Sequence, residues 1–379
     1  MSDNVTRDVF CVLPFVQTVV RTDGSVSSCC NIIGKQNIRQ SSIQQFWDSD
    51  ELADLKHRLL NNDQNLTQCN KCYQEEESQG SSMRTQNLKY YKFSPSAHYK
   101  QLLDHSGYLE NLFPTRVEWH LGNLCNLKCL TCNPRDSSSF LAENRKLKID
   151  NHNQSQFTLD DDDNALHANL QLIFDNKVDT LDLRGGESMM MPQIKKILLA
   201  LSDQQYQRTT LHIQTNGTVI DDDWKIILSR FAQVEIMLSI DAYGQDNTYI
   251  RYPASWPAIE QNTDYFMSLP HATVVANCTI SNLNFPVLHK LARWAESKQL
   301  SVNYSFVSIP AHYNFKNLPE SVFDVAKQQA AKLCGLENLI TIQADNTHWK
   351  EFCQMIDLRD KHRNNSIFNV LPELKPYWI

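Results

Sequence analysis

Cys125, Cys129 and Cys132 stand in the run "CNLKCLTCNP", three thiols spaced C-x3-C-x2-C. A loop that short can turn three sulfurs toward one centre, and thiolates select zinc or iron–sulfur clusters. A closed zinc site needs a fourth ligand. None stands nearby at the usual spacing, since His120 lies upstream on what reads as a strand. A cubane cluster held by three cysteines instead leaves one iron open to an outside ligand. A second set begins at Cys11 and continues as C-x12-G-x4-C through Gly24 to Cys29, with the "CNKC" pair Cys69 and Cys72 much later. Those four thiols can close a four-ligand site, and on chemistry alone zinc would satisfy it. Cys30 adjoins Cys29, but successive side chains on a strand point apart, so only one of the two should ligate. Cys278, Cys334 and Cys353 read as small buried hydrophobes.

Other candidate ligand-binding residues sit where strands end. From Thr115 the chain alternates, with strands "RVEWHLG", "VDTLDLRG", "TTLHIQTNG", "VEIMLSID", "TVVANCTIS" and "LSVNYSFVS" separated by helical stretches such as "PQIKKILLALSD" and "NFPVLHKLARWAES". Such alternation implies a parallel sheet with crossover helices. Six units are too few for an eight-fold barrel and suit an open, partial one with its site at the carboxyl ends of the strands. The expected fold class is therefore α/β, a partial (β/α)6 TIM-like barrel with a small N-terminal β-hairpin and helix domain. Gly185, Gly186 and Glu187 follow the second strand, where glycines admit a ligand close to the backbone and a carboxylate can accept bonds from an ammonium group. Asn216 begins an Asn-Gly turn after the third strand. Ser239 and Asp241 share one face at the end of the fourth and can hydrogen-bond hydroxyls. Arg251 follows in "YIRYPASW", where a surface ion pair is the alternative. Asn277 and Thr279 should face the barrel interior, with Cys278 against a helix.

The expected organisation is a cysteine-bearing unit over 1–85, a connector over 86–114 with partial helix, the β/α array over 115–310, and a helical extension over 311–379. In the first unit Asp23-Gly24 signals a hairpin turn. "SSIQQFWDSDELADLKHRLL" reads as one helix capped by Ser42 with Gln45, burying Ile43, Phe46, Trp47 and Leu55. "TLDDDDNALHANL" reads as an acidic loop whose charges favour the start of a helix.

Composition narrows the classes. The 379 residues are 41% hydrophobic and 21% charged, ordinary for a globular protein, with a formal net charge of -7 that argues against nucleic acid as a partner. No basic and apolar signal segment opens the sequence, and no apolar run is long enough to span a bilayer, so no membrane partner is expected. A cytoplasmic setting keeps thiols reduced, and eleven cysteines there are better metal ligands than disulfides.

The C-x3-C-x2-C triad after the first strand of a β/α array resembles the radical S-adenosylmethionine (radical SAM) superfamily. The resemblance implies a [4Fe–4S] cluster on Cys125, Cys129 and Cys132 whose open iron chelates SAM. It also implies that Gly185, Gly186 and Glu187 meet the methionine amino group, Asn216 the ligand, Ser239 and Asp241 the ribose, and Arg251 the SAM carboxylate. The activity implied is reductive cleavage of SAM and hydrogen abstraction from a substrate, fed by a flavodoxin- or ferredoxin-type electron donor. The C-x12-G-x4-C run with its later C-x2-C resembles the twitch module, a shortened SPASM domain. It implies an auxiliary [4Fe–4S] cluster on Cys11, Cys29, Cys69 and Cys72 and a net two-electron oxidation. Such modules usually follow the core, whereas here the cysteines precede it. Relatives act on peptides, aminocyclitols, sugars or nucleotides; a small polar metabolite or sugar is the expected substrate, with a peptide close behind. A zinc-binding structural protein would explain the cysteines but not "GGE" and "SID" at strand ends. A Rossmann-type methyltransferase would explain ligand-binding turns but not the thiols, and the glycine-rich loop it needs after its first strand is missing.

Overall fold

A computed structural model describes residues 8–93, 104, 112–120, 122–149, 164–175 and 178–379. In chain order the helices and strands are α1 (Leu13–Val16), β1 (Gln17–Val20), β2 (Ser25–Ser27), β3 (Gln36–Asn37), α2 (Ile43–Trp47), α3 (Asp50–Leu60), α4 (Asn70–Gln79), α5 (Met83–Tyr90) and β4 (Arg116–His120). They continue as α6 (Ser138–Leu147), α7 (Asn164–Asp175), β5 (Thr180–Arg184), α8 (Pro192–Leu199), α9 (Asp203–Arg208), β6 (Thr210–Thr215), α10 (Asp222–Arg230), β7 (Val234–Ser239) and α11 (Gly244–Ile250). The chain ends with α12 (Trp256–Met267), β8 (Ala272–Ile280), α13 (Leu288–Lys298), β9 (Ser301–Phe306), α14 (Glu320–Cys334) and α15 (Trp349–Arg363). The fold is mixed α/β on a large sheet, and all six expected core strands form, as β4 to β9.

Two compact units divide the chain. The first comprises Met1–Gly122, Leu159–Leu183 and Leu201–Leu211; the second comprises Asn123–Thr158, Arg184–Ala200 and His212–Ile379.

In the first unit the expected hairpin forms: β1 pairs antiparallel with β2 through Gly24, whose φ of 81° suits glycine. The other side of β1 pairs in parallel with β4, Gln17 opposite Arg116 and Val20 opposite Trp119. Flanked on both edges, all four residues of β1 are buried, as in the interior strands of parallel sheets. Ser42 and Gln45 close the expected capping box of α2. Ile43, Phe46, Trp47 and Leu55 are all buried. The single helix expected over 41–60 is instead two, because Ser49 accepts from the Leu52 N–H and starts α3 afresh with Asp50 and Glu51 in its first turn. The expected connector opens with α5, and its remainder falls largely outside the described residues. The acidic run Asp160–Asp163 also lies outside them, while α7 follows it as expected.

In the second unit β7, β8 and β9 are parallel and in register, Ser239 opposite Asn277 and Asn277 opposite Asn303. Ala276, Cys278 and Ile280 are buried while Asn277 and Thr279 are half-buried, the two faces of one pleat. Helices α13, α14 and α15 bury Leu291, Trp294, Phe323, Ala330, Phe352 and Ile356. Among the described residues no helix is long and apolar enough to cross a membrane.

Candidate active site

The cysteine loop of the second unit is held by its own backbone. The Glu187 N–H donates to the Leu124 carbonyl at 2.8 Å, Lys128 N–H to Tyr252 at 2.6 Å, and Leu130 N–H to Ile250 at 2.9 Å. Three consecutive serines wrap the loop from the start of α6. Ser137 donates to the Leu127 carbonyl at 2.7 Å, the Ser138 hydroxyl accepts from Cys125 N–H at 3.3 Å, and Ser139 donates to the Cys125 carbonyl at 2.6 Å. Each stretch between the thiols is thereby tied down, which is what presenting three sulfurs in one geometry requires.

The thiols themselves sit in one another's fields. Burial pushes Cys125 up to about 12, with Cys129 and Glu187 adding to it. Burial also raises Cys132, and Cys129 and Cys125 contribute. Cys129 is raised by burial too, but Arg251 and Arg363 pull it down. A thiol raised in this way keeps its proton, so iron or zinc binding here would have to release it. Among the described residues no group of three or more His, Cys, Asp or Glu could hold a single metal ion. A cubane takes one thiolate per corner iron, so its ligands stand farther apart than those of one ion, and three mutually interacting thiols, Cys125 buried and Cys129 and Cys132 half-buried, fit that donor requirement.

The sequence-predicted ligand residues gather beside these cysteines. Gly186 has a φ of 48°, and a Cβ there would lie 2.3 Å from the Leu124 carbonyl oxygen, so the backbone after β5 presses directly on the cysteine loop. Gly185, with a φ of 82°, completes the turn. Glu187 is fully buried; its carboxylate accepts from Asn216 N–H at 2.7 Å, Thr215 hydroxyl at 2.7 Å and Met189 N–H at 3.1 Å. A carboxylate has about four acceptor positions, so one is left. Burial raises the Glu187 carboxyl despite these donors. Asn216 donates to Asn126 at 2.9 Å and points its amide 4.0 Å from Cys125 Sγ, while its carbonyl accepts from Thr218.

Asp241 and Ser239 are arranged differently from the hydroxyl-binding pair the sequence suggests. Asp241 is fully buried; its Oδ1 accepts from Thr279 N–H at 2.9 Å, and its Oδ2 forms an ion pair with Arg251 Nε at 2.8 Å. Ser239 accepts from Gln214 at 3.3 Å. Arg251 is no surface ion pair: Nη1 lies 4.0 Å from Cys129 Sγ. Burial pulls its guanidinium down, but Asp241 and Cys129 outweigh that and leave it raised.

Sequence reasoning passed over Asn126, Glu143, Arg359 and Arg363. Glu143 accepts from Arg359 at 2.6 Å and from Arg363 at 2.7 and 2.9 Å, and Arg363 also donates to the Lys128 carbonyl at 2.6 Å. No local spacing links these residues; the usable signal was the pair of arginines one helical turn apart in "DLRDKHR".

The first unit holds the other cysteine set. Cys11 precedes α1, Cys29 follows β2, Cys69 precedes α4, and Cys72 lies within it. Burial pushes Cys11 up to about 12, with Cys69 and Cys72 contributing. Cys29 is raised first by its neighbour Cys30, then by burial, and also by Cys11. Asn31 joins two of them, its N–H 3.3 Å from Cys29 Sγ and its amide 3.5 Å from Cys72 Sγ. Cys30 turns its thiol to Met83 Sδ at 3.4 Å. Of the remaining cysteines, Cys278 and Cys353 are buried and Cys334 half-buried.

Residues 11–73 match the SPASM family, described as an iron-sulfur cluster-binding domain. The chain carries a SPASM domain. After that SPASM domain come the C-x3-C-x2-C loop and the strand array of the radical SAM superfamily that the sequence resembles. No curated protein matches the chain. Among solved structures it is similar to native anSMEcpe with bound AdoMet, at 16% identity and a TM-score of 0.44, covering 60% of this chain and 63% of that one. It is also similar to SuiB of Streptococcus suis, at 15% identity and a TM-score of 0.42, covering 84% and 67%. The same protein bound to precursor peptide SuiA gives 13%, 0.41, 83% and 67%. The chain thus spans under two thirds of the length of the first of these relatives.

Proposed function

We propose that this protein is a radical SAM enzyme that modifies a peptide. Cys125, Cys129 and Cys132 would hold a [4Fe–4S] cluster with one open iron for SAM, in a partial (β/α)6 barrel over 115–310. Cys11, Cys29, Cys69 and Cys72 of the SPASM domain, within the 1–85 unit, would hold an auxiliary [4Fe–4S] cluster. When bound, the first cluster and SAM together would supply the chemistry of reductive SAM cleavage and hydrogen abstraction from the substrate. The observation that carries this reading is the gathering of Glu187, Asn216 and Arg251 around a tied-down three-thiol loop.

This chain's residues would orient and enclose. Gly185, Gly186 and the remaining acceptor position of Glu187 suit an ammonium group. Arg251 suits a carboxylate, and Asp241 aims it by holding Nε, which leaves the outer guanidinium face for the ligand. Ser239 remains the candidate for a ribose hydroxyl. Similar solved structures include one bound to a precursor peptide, which supports the peptide over the small polar metabolite or sugar expected from sequence. With a second cluster to accept an electron, the outcome is a two-electron oxidation, fed by a flavodoxin- or ferredoxin-type donor in the cytoplasm.

Anaerobic reconstitution tests this. The expected protein is brown, with about eight iron and eight sulfide for two cubanes, and releases 5′-deoxyadenosine under a strong reductant. Cys125→Ala keeps the auxiliary iron and releases none. Deuterated peptides that pass label into 5′-deoxyadenosine support the substrate class, whereas label passing only from sugars returns it to metabolites. Colourless protein with zinc would sink the whole reading.

A further inference from the structure

The C-terminal helix α15 reaches the cysteine loop through one residue. Glu143 of α6 is fully buried and shared by Arg359 and Arg363. Two guanidinium groups share this one carboxylate, their side chains nearly closed to water, and Asp360 on the same helix lies close enough to Arg363 to feel its charge. Arg359 spends its other contacts on Asn144 at 2.8 Å and on the Phe140 ring at 4.4 Å. Arg363 instead turns to the loop: Nη2 donates to the Lys128 carbonyl at 2.6 Å, and the guanidinium lies 4.9 Å from the Tyr252 ring. The Lys128 N–H is held by the Tyr252 carbonyl at 2.6 Å. The residue before Cys129 is therefore gripped on both sides.

We propose that Arg363 is a positioning residue for Cys129 and that its charge raises the reduction potential of the cluster held by Cys125, Cys129 and Cys132; this rests on the reading that those three cysteines bind a cluster. Reduction adds negative charge to a cluster already bearing thiolates, and a fixed cation in a low-dielectric site favours the reduced form. A second buried arginine on one carboxylate is otherwise an unfavourable arrangement, since each buried ion must be compensated by close partners. The Lys128 carbonyl and the Tyr252 ring are the further partners that justify it. Residues outside the ligand set commonly tune a metal centre in this manner.

The test uses full-length, anaerobically reconstituted protein and the midpoint potential of the EPR signal that changes on adding SAM. Arg363→Met should move that potential negative, by about a tenfold fall in the reduced-to-oxidised ratio at fixed applied potential, ~59 mV for one electron. Arg363→Lys, which keeps the charge, should recover most of the shift. Glu143→Gln, which leaves two cations without their carboxylate, should move the potential the other way. An Arg363→Met potential equal to wild type overturns the proposal, as does loss of iron in both Arg363 variants, which assigns the residue to folding alone. A wild-type protein that binds iron but shows no SAM-responsive signal overturns instead the reading on which the proposal rests.

Discussion

Arg251 and Asp241 form a buried ion pair at 2.8 Å, and the same guanidinium faces Cys129 Sγ at 4.0 Å. The pair couples the end of β7 to the cysteine loop, so a carboxylate that the sequence offers to a ligand serves to aim a cation. Asp241→Ala leaves that cation buried and unpaired, a change that costs about 3–5 kcal/mol. Urea denaturation should show the loss, and SAM should bind more weakly to whatever remains folded. An Asp241→Ala protein as stable as wild type would show that the pair is solvated.

Gly186 should tolerate no side chain. A Cβ would meet the Leu124 carbonyl at 2.3 Å, and backbone cannot retreat as a flexible side chain can. Gly186→Ala should lose about 1–3 kcal/mol and, on the proposed function, most of the iron that Cys125, Cys129 and Cys132 would hold. Gly244 has a similar left-handed φ of 61° but open space around it, so Gly244→Ala should cost only about 1 kcal/mol and keep its iron. Iron content and thermal melting of the two variants separate contact from conformation.

A hydrogen bond from Tyr249 to Asp360 at 2.8 Å ties α11 to α15, while the second oxygen of Asp360 accepts from Ile367 N–H at 2.7 Å. Tyr249→Phe removes one charged hydrogen bond and should cost about 1.5–3 kcal/mol. Protease sensitivity near the C-terminus should rise in parallel.

Lys56 gives a pH signature in the first unit. Burial lowers its ammonium to about 8, with Asp48 partly opposing, and the charge sits 3.9 Å over the Trp47 ring. From there up to the ordinary lysine value the unfolded chain holds more protons than the folded one, so stability rises with pH across that window. The slope should be well under the ~1.4 kcal/mol per pH unit of a fully buried group, because Lys56 is partly solvated. Lys56→Gln should flatten it in urea midpoints measured between neutral and alkaline pH.

Local features were largely legible. The hairpin at Gly24, the capping box at Ser42 and all six core strands follow from turn chemistry, caps and β-branched runs. The break at Ser49 was not, because the apolar period runs through Ile43, Phe46 and Leu55 as though the helix continued, and only the second cap reveals the interruption. The burial of β1 on both faces depends on pairing with β4 nearly a hundred residues on, which no local pattern encodes. The same distance problem hides the Glu143 cluster, whose partners lie 216 and 220 residues away. At the site, Glu187, Asn216 and Arg251, read from their places after strands, come together beside the cysteine loop. Which of Asp241's neighbours would occupy its oxygens was a matter of packing, and the sequence carries no mark of it.

The parallel pairing of β1 with β4 bears on how the protein can be dissected. Trimming away the N-terminal eighty-five residues to obtain a minimal catalytic fragment would strip one flank from Arg116–His120 and bare its amide row. An uncovered row of that kind recruits other chains and invites precipitation. The N-terminal segment is therefore also a solubility cover for the strand beside it, and a shortened fragment would need a substitute flank before its chemistry could be studied in isolation.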